Sequence, residues 1–206
     1  LRAVEDLEAD EGLRDDLEEI DQNVDPNVLV FGSKKDGDFF TGISEGRIEA
    51  SRLFLEKRKE LLDRLSTIRD KPAVRFAIEY NKASPIETLL PHCAYVRAAC
   101  KLAHLEGMIR SLDGDMGGAF RDFELQIRLA GAMGDEPVLI SRLVQIAMEA
   151  MTIQSAEEML RAGTPDAQLL TRMADELATC KKRGTLMWAL LGERAFFTET
   201  CDAILR

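Results

Sequence analysis

The sequence predicts an all-α protein, an antiparallel helical bundle preceded by an irregular N-terminal arm. Apolar residues recur at helical spacing along most of the 206 residues, and the long alternating Val/Ile/Thr runs of β-strands are missing. Only 6 of the 206 residues are proline, and turn residues such as glycine, aspartate and proline mark the breaks between the periodic segments. A chain of this length usually forms one domain, so we expect residues 1–206 to share one core.

The first 86 residues combine two predicted helices with less regular chain. Region 1–43 holds an acidic helix over about 3–22 and then the irregular, glycine-rich arm. Region 44–86 holds a long helix that ends near residue 69, followed by a connector. The acidic helix carries most of the excess negative charge, and we interpret it as a solvated face, with an interaction tail as the alternative.

Region 87–206 is predicted to be a five-helix core. The predicted helices span residues 87–112, 116–133, 137–162, 165–182 and 185–205. Glycine followed by Thr, Asp or Pro separates them, which is the usual pattern of one helix ending and the next beginning. Loops this short make neighbouring helices antiparallel. The helix over 137–162 is apolar nearly all round, so we expect it at the centre, with the last helix beside it.

Charge and composition exclude some partners and leave others open. A net charge of −10 opposes binding to nucleic acid, because phosphates require a basic face. No apolar run approaches the length of a membrane span, so a membrane contact would need a segment upstream of Leu1. The chain begins at Leu1 already in helical register. We therefore leave two interpretations open: a signal or anchor has been removed upstream of Leu1, or Leu1 is an ordinary boundary of the sequence. The oligomeric state stays open, and a protein or peptide partner is compatible with the composition.

Motifs for catalysis and cofactor binding are missing. The sequence has no glycine-rich phosphate loop, no GxSxG and no HExxH, so no cofactor is predicted. Cys100 and His104 are four residues apart on one predicted helix, but two ligands do not make a metal site. The four cysteines have no CxxC spacing, and buried free thiols are the favoured interpretation.

Residues 100–137 resemble one tetratricopeptide repeat, a helix-turn-helix unit of about 34 residues. Gly107 stands where the first helix of such a unit has a small residue. Ala119 and Phe123 stand where the second helix has a small residue and an aromatic one. The position that is usually aromatic in the first helix is Arg110. The resemblance implies close packing of this helical hairpin.

Four further segments resemble a family of uncharacterised bacterial proteins. They are Thr88–His92, Gly114-Asp115, Gly134–Val144 and Gly192–Ala195, and the resemblance covers about residues 75–200. Proteins of that family carry an N-terminal membrane anchor before a helical domain. The resemblance therefore implies a helical fold and an extracytoplasmic, membrane-anchored location rather than a cytoplasmic one, and it implies no activity.

The turn from Asp113 to Glu124 has part of the pattern of a calcium-binding EF-hand loop. Asp113, Asp115, Gly118 and Glu124 occupy positions 1, 3, 6 and 12 of that loop. Arg121, however, occupies a position where the metal would need oxygen. The alternative is a short turn in which Asp115 caps the second helix.

A polar stripe interrupts the apolar helices near the C-terminus. Arg142, Gln145 and Glu149 follow one another at helical spacing, and Arg194 interrupts the last helix. Buried charges are normally paired, so these residues indicate either an internal ion-pair network or the polar floor of a ligand groove.

Together these patterns predict a non-enzymatic helical scaffold or protein-interaction module. The alternative is a small-molecule or calcium-binding domain that uses the polar stripe or the turn over 113–124. A catalytic role ranks third.

Overall fold

A computed structural model of the chain describes residues 11–24, 45–70, 76, 78, 90–180 and 186–205. These residues are all-helical, as predicted, and no strand occurs among them. Their eight helices are α1 (Glu11–Asn23), α2 (Glu45–Lys57), α3 (Lys59–Arg69), α4 (His92–Leu112), α5 (Met116–Ala132), α6 (Leu139–Ala162), α7 (Ala167–Cys180) and α8 (Leu186–Ile204). The predicted irregular arm over 26–43 and most of the connector before residue 87 lie outside the described residues.

The single long helix predicted over 44–69 is in fact two helices, which meet at Arg58. The guanidinium carbon of Arg58 lies 3.9 Å from the centre of the Phe54 ring, and the same guanidinium donates to Glu19 of α1 at 3.1 Å. At the junction, Arg58 has φ −111° and ψ 18°, which lie outside helical geometry. The break separates α2 from α3, which buries Leu61, Leu62, Leu65 and Ile68 in the core.

The central helix of the bundle is α4, which contacts α1, α2, α3, α5 and α6. Small buried residues such as Ala98, Ala99 and Ala103 let neighbouring helices approach it on several sides. The expectation that helix 137–162 occupies the centre was wrong. Its structural counterpart, α6, buries one face and leaves large apolar side chains on the other face exposed.

The α4–α5 hairpin has the tight turn that the sequence predicts. Gly114 adopts a positive φ of 80°, which favours glycine, and the side chain of Asp115 caps α5. Across the hairpin, a Cβ added to Gly107 would lie 3.4 Å from Cβ of Asp122, so the helices are close there. Ala119 and Phe123 are fully buried, as the repeat resemblance implies, although membership of the tetratricopeptide class stays a prediction.

The last helix, α8, attaches to the start of α6 through its first two turns. Ala189 is buried there, and the indole N–H of Trp188 donates to the carbonyl of Asp135 at 3.3 Å. Gly192 contacts Pro137 so closely that an added Cβ would overlap the Pro137 carbonyl oxygen. The side chain of Glu193 accepts the backbone N–H of Leu139 at 2.8 Å, which caps α6.

Candidate interaction surface

The carboxylates of the predicted calcium turn bind separate partners. Asp113 accepts hydrogen bonds from Arg52 of α2, which hold the pKa of Asp113 below its ordinary value. Asp115 accepts a backbone N–H at 2.8 Å as the cap of α5, and Glu124 accepts from Arg172 of α7 at 2.9 Å. Among the described residues, no group of three or more His, Cys, Asp or Glu side chains could hold a metal ion.

The predicted polar stripe forms a network along α6. The amide nitrogen of Gln145 donates to Glu149 at 3.0 Å, and a guanidinium nitrogen of Arg142 lies 3.8 Å from the same carboxylate. Gln145 is fully buried, and Arg142 and Glu149 are half-buried. Arg194 is exposed on α8, and its neighbour Glu193 is the residue that reaches α6. The first three residues thus contact one another along α6, and both interpretations of the stripe stay predictions.

The structure adds two buried pairs that the sequence analysis did not find. His92 lies 2.9 Å from Glu136 and stacks on Phe76, with ring centres 4.4 Å apart. His104 lies 3.0 Å from Glu158, and both side chains are buried. Burial lowers the pKa of His92, but the adjacent thiol and Glu136 outweigh this effect and raise the pKa to about 9.

The surroundings of His92 do not form a nucleophilic site. The sulfur of Cys93 lies 3.9 Å from Nε2 of His92, and 3.8 Å from the hydroxyl of Ser141. A catalytic base uses one ring nitrogen for the nucleophile and the other for the orienting acid. Here Nε2 faces both the thiol and Glu136. Because Cys93 is also buried, a substrate cannot reach the sulfur without local opening.

A charged pocket of about 240 Å³ lies between α3, α4 and α5. One guanidinium nitrogen of Arg110 donates to both oxygens of Asp122 at 2.9 Å, and the other donates to Glu106. Burial, and then the charge of Glu106, raises the pKa of Asp122 to about 8. Arg110 therefore binds both carboxyl groups, while burial raises the pKa of each above its ordinary value. The pocket is lined by Leu62, Asp63, Ser66, Arg69, Glu106, Arg110, Arg121, Asp122 and Leu125.

The outer face of α6 carries a row of side chains that we call the heptad seam. Successive members are alternately four and three residues apart, which is the spacing of the contact positions in a coiled coil. All members except Glu157 are apolar. The members are Leu139, Leu143, Ile146, Ala150, Ile153, Glu157 and Leu160.

Solvent reaches the heptad seam along most of its length. Leu143 and Ile153 are each 51 % exposed, and Ile146 and Leu160 are exposed to a similar degree. The opposite face of α6 holds the buried Val144, Met148 and Met159. An ordinary surface helix has a polar outer face, so α6 has more apolar surface than packing within the described bundle requires.

The last helix, α8, also carries exposed apolar side chains. Its small residues Ala189 and Gly192 face the bundle, as described above, while larger side chains remain at the surface. These exposed residues are Leu186, Met187, Trp188, Leu190, Leu191 and Phe197. Two helices of the chain, α6 and α8, therefore present large apolar side chains outward.

Comparison with protein families, curated proteins and solved structures finds no match for this chain. The resemblance to anchored bacterial proteins therefore stays a prediction. None of the helices among the described residues has an apolar stretch that could span a lipid bilayer.

Proposed function

We propose that this protein is a non-enzymatic interaction module that binds an α-helix along the heptad seam. The observation that carries the proposal is the unbroken spacing of four and three residues over seven positions of α6, all of which are exposed except the half-buried Leu139. An apolar row with this spacing fits the side chains of a second helix, which pack between its members as they do in a coiled coil.

Exposure of the seam has a free-energy cost that a bound helix would remove. The four exposed Leu and Ile members of the seam and the neighbouring Ile140 are each about half exposed. Together they present on the order of 400–500 Å² of apolar surface. The largest apolar patch on a typical monomer is about 300–600 Å² and often marks a binding site. The seam, together with Ile140, reaches that size on one helix.

The alternative function, binding of calcium or a small molecule, has less support. The carboxylates of the turn over 113–124 and the polar groups of α6 already bind other residues of the chain. The charged pocket likewise pairs Arg110 with two carboxylates. By contrast, four apolar members of the heptad seam are about half exposed in the part of the chain that the structure describes, which leaves surface for a partner to cover.

The test uses a designed peptide of about three heptads, with leucine at coiled-coil spacing and lysine at the flanking positions. A peptide of the same composition in scrambled order is the control. We expect fluorescence anisotropy to show binding of the patterned peptide, and Leu143→Glu to weaken it by at least about tenfold, because a carboxylate would be buried.

The matched control variant is Leu53→Glu. Leu53 is 57 % exposed on α2, so this change alters the same residue type at similar exposure but away from the seam. We expect it to leave peptide affinity unchanged. The proposal is overturned if the patterned and scrambled peptides bind equally, or if Leu53→Glu and Leu143→Glu weaken binding to the same extent.

A further inference from the structure

We infer that the helix bound by the heptad seam is the same seam of a second copy of this chain, in antiparallel orientation. This inference rests on the proposed function and names its partner. A second copy has the required spacing of four and three residues by definition. Because one patch meets itself across a two-fold axis, the contact closes as a dimer.

The register follows from matching apolar members. An axis between residues 151 and 152 places Leu143 opposite Leu160 of the second copy, and Ala150 opposite Ile153 of the second copy. The small Ala150 lies near the axis, where it allows the two helices to approach closely. Glu157 then faces an apolar residue, Ile146 of the second copy.

The orientation follows from charge. In a parallel pair, the two Glu157 carboxylates would lie opposite each other. In the antiparallel pair they are about 16 Å apart along the helix axis, given 1.5 Å per residue. That separation exceeds the Debye length of about 8–10 Å, so their repulsion is largely screened. A single polar residue in an apolar seam commonly specifies the register of a coiled coil.

The area of the seam is compatible with a dimer. Each partner of a stable complex buries about 800 Å², and the exposed leucines and isoleucines supply about half of this. Ala147, Ala150 and the polar flank of Gln154, Glu157 and Arg161 lie on or beside the seam and supply further area. Although each copy has a net charge of −10, the seam is nearly free of charge, and Glu157 has Arg161 at 3.8 Å.

The test is a charge exchange measured by sedimentation equilibrium of the full chain over the micromolar range. Wild type is expected to dimerise. Leu143→Lys and Leu160→Glu are each expected to raise the dimer dissociation constant at least about tenfold. In the antiparallel register, the double variant places the introduced lysine of each copy opposite the introduced glutamate of the other copy, at both ends of the seam. It is therefore expected to recover most of the affinity.

The contrary results are equally specific. In a parallel pair, the double variant would oppose lysine to lysine and glutamate to glutamate, so it would be weaker than either single variant. That result, a wild type that stays monomeric, or an equal effect of the control Leu53→Lys would overturn the inference. A monomeric wild type that still binds the patterned peptide would overturn the self-association alone and leave the proposed function standing.

Discussion

Substitution of Gly192 by alanine is expected to detach α8 from the start of α6. The new Cβ would overlap the carbonyl oxygen of Pro137 and lie 2.7 Å from its carbonyl carbon. These atoms belong to the backbone, so they cannot rotate away as a flexible side chain would. The helices must separate by about an ångström or more to reach ordinary contact distance, and this movement breaks the hydrogen bond from Leu139 to Glu193 and the one from Trp188 to Asp135.

The size of the effect follows from the contacts that are lost. Loss of a helix N-cap costs about 0.5–2 kcal/mol, and the higher helix propensity of alanine offsets up to about 1 kcal/mol. Exposure of Ala189 adds less than about 1 kcal/mol. We therefore expect a net destabilisation of about 1 kcal/mol, equivalent to a fall in Tm of about 2–4 °C. The contacts between α8 and the start of α6 should be weakened more than this change in the free energy of global unfolding indicates.

Trp188 reports the local change directly, because it is the only tryptophan of the chain. In wild type it is 49 % exposed and its indole N–H is bonded, so detachment of α8 should red-shift its emission and increase quenching by acrylamide. Gly46→Ala is the matched control, because nothing lies within 4 Å of its added Cβ. The reasoning is refuted if Gly192→Ala leaves the Trp188 emission and the Tm as they are in wild type.

Three further predictions concern the core and the buried titratable groups. Phe123→Ala should lower the free energy of unfolding, measured with urea, by about 3–5 kcal/mol because Phe123 is fully buried. Phe197 is 72 % exposed, so Phe197→Ala should lower it by less than about 0.5 kcal/mol. Similar values for the two variants would contradict the burial pattern. The pKa of His92 is raised in the folded state to about 9, so protonated His92 stabilises the folded state by at most about 3 kcal/mol. This stabilisation is fully present below about pH 6.5 and is lost as the pH rises through 9. The free energy of unfolding of His92→Gln, measured over the same pH range, should not show that loss. If its slope against pH equals that of wild type, the loss does not belong to His92. The pKa of Asp122 is raised to about 8, so the folded state holds its proton longer than the unfolded state, and stability should fall as the pH rises from about 4 to 8. Asp122→Asn should flatten this fall in the same titration, and a steeper fall would show that the ionised carboxylate is the stabilising form.

The helices of the C-terminal half could be predicted from the sequence because their end signals are local. The turn at Asp113–Asp115 and the loop after Met133 have the expected glycines, and the helices begin within a few residues of their predicted starts. The break at Arg58 could not be predicted, because neither glycine nor proline marks it in the sequence. The side chain of Arg58 bonds Glu19, which is 39 residues earlier in the chain.

The spacing of the heptad seam is visible in the sequence, but the sequence analysis takes helix 137–162 to be the central helix of the bundle. Apolar periodicity identified α6 as a helix, but it could not tell which apolar face has a neighbour and which faces solvent. The spacing of the seam over residues 139–160 was the signal that could have separated the two faces. The pairs of His92 with Glu136 and of His104 with Glu158 join residues 44 and 54 positions apart, so only the fold brings them together.

Solvent accessibility of the isoleucine methyl groups, measured by NMR with a soluble paramagnetic agent, tests the central claim most directly. At low protein concentration the methyls of Ile146 and Ile153 should be strongly broadened, whereas those of the buried Ile109 and Ile127 should be protected. At high concentration, Ile146 and Ile153 should become protected as a second copy covers the seam. Protection at every concentration would mean that the chain itself covers the seam, and broadening at every concentration would mean that no second copy binds there; either result would contradict the account.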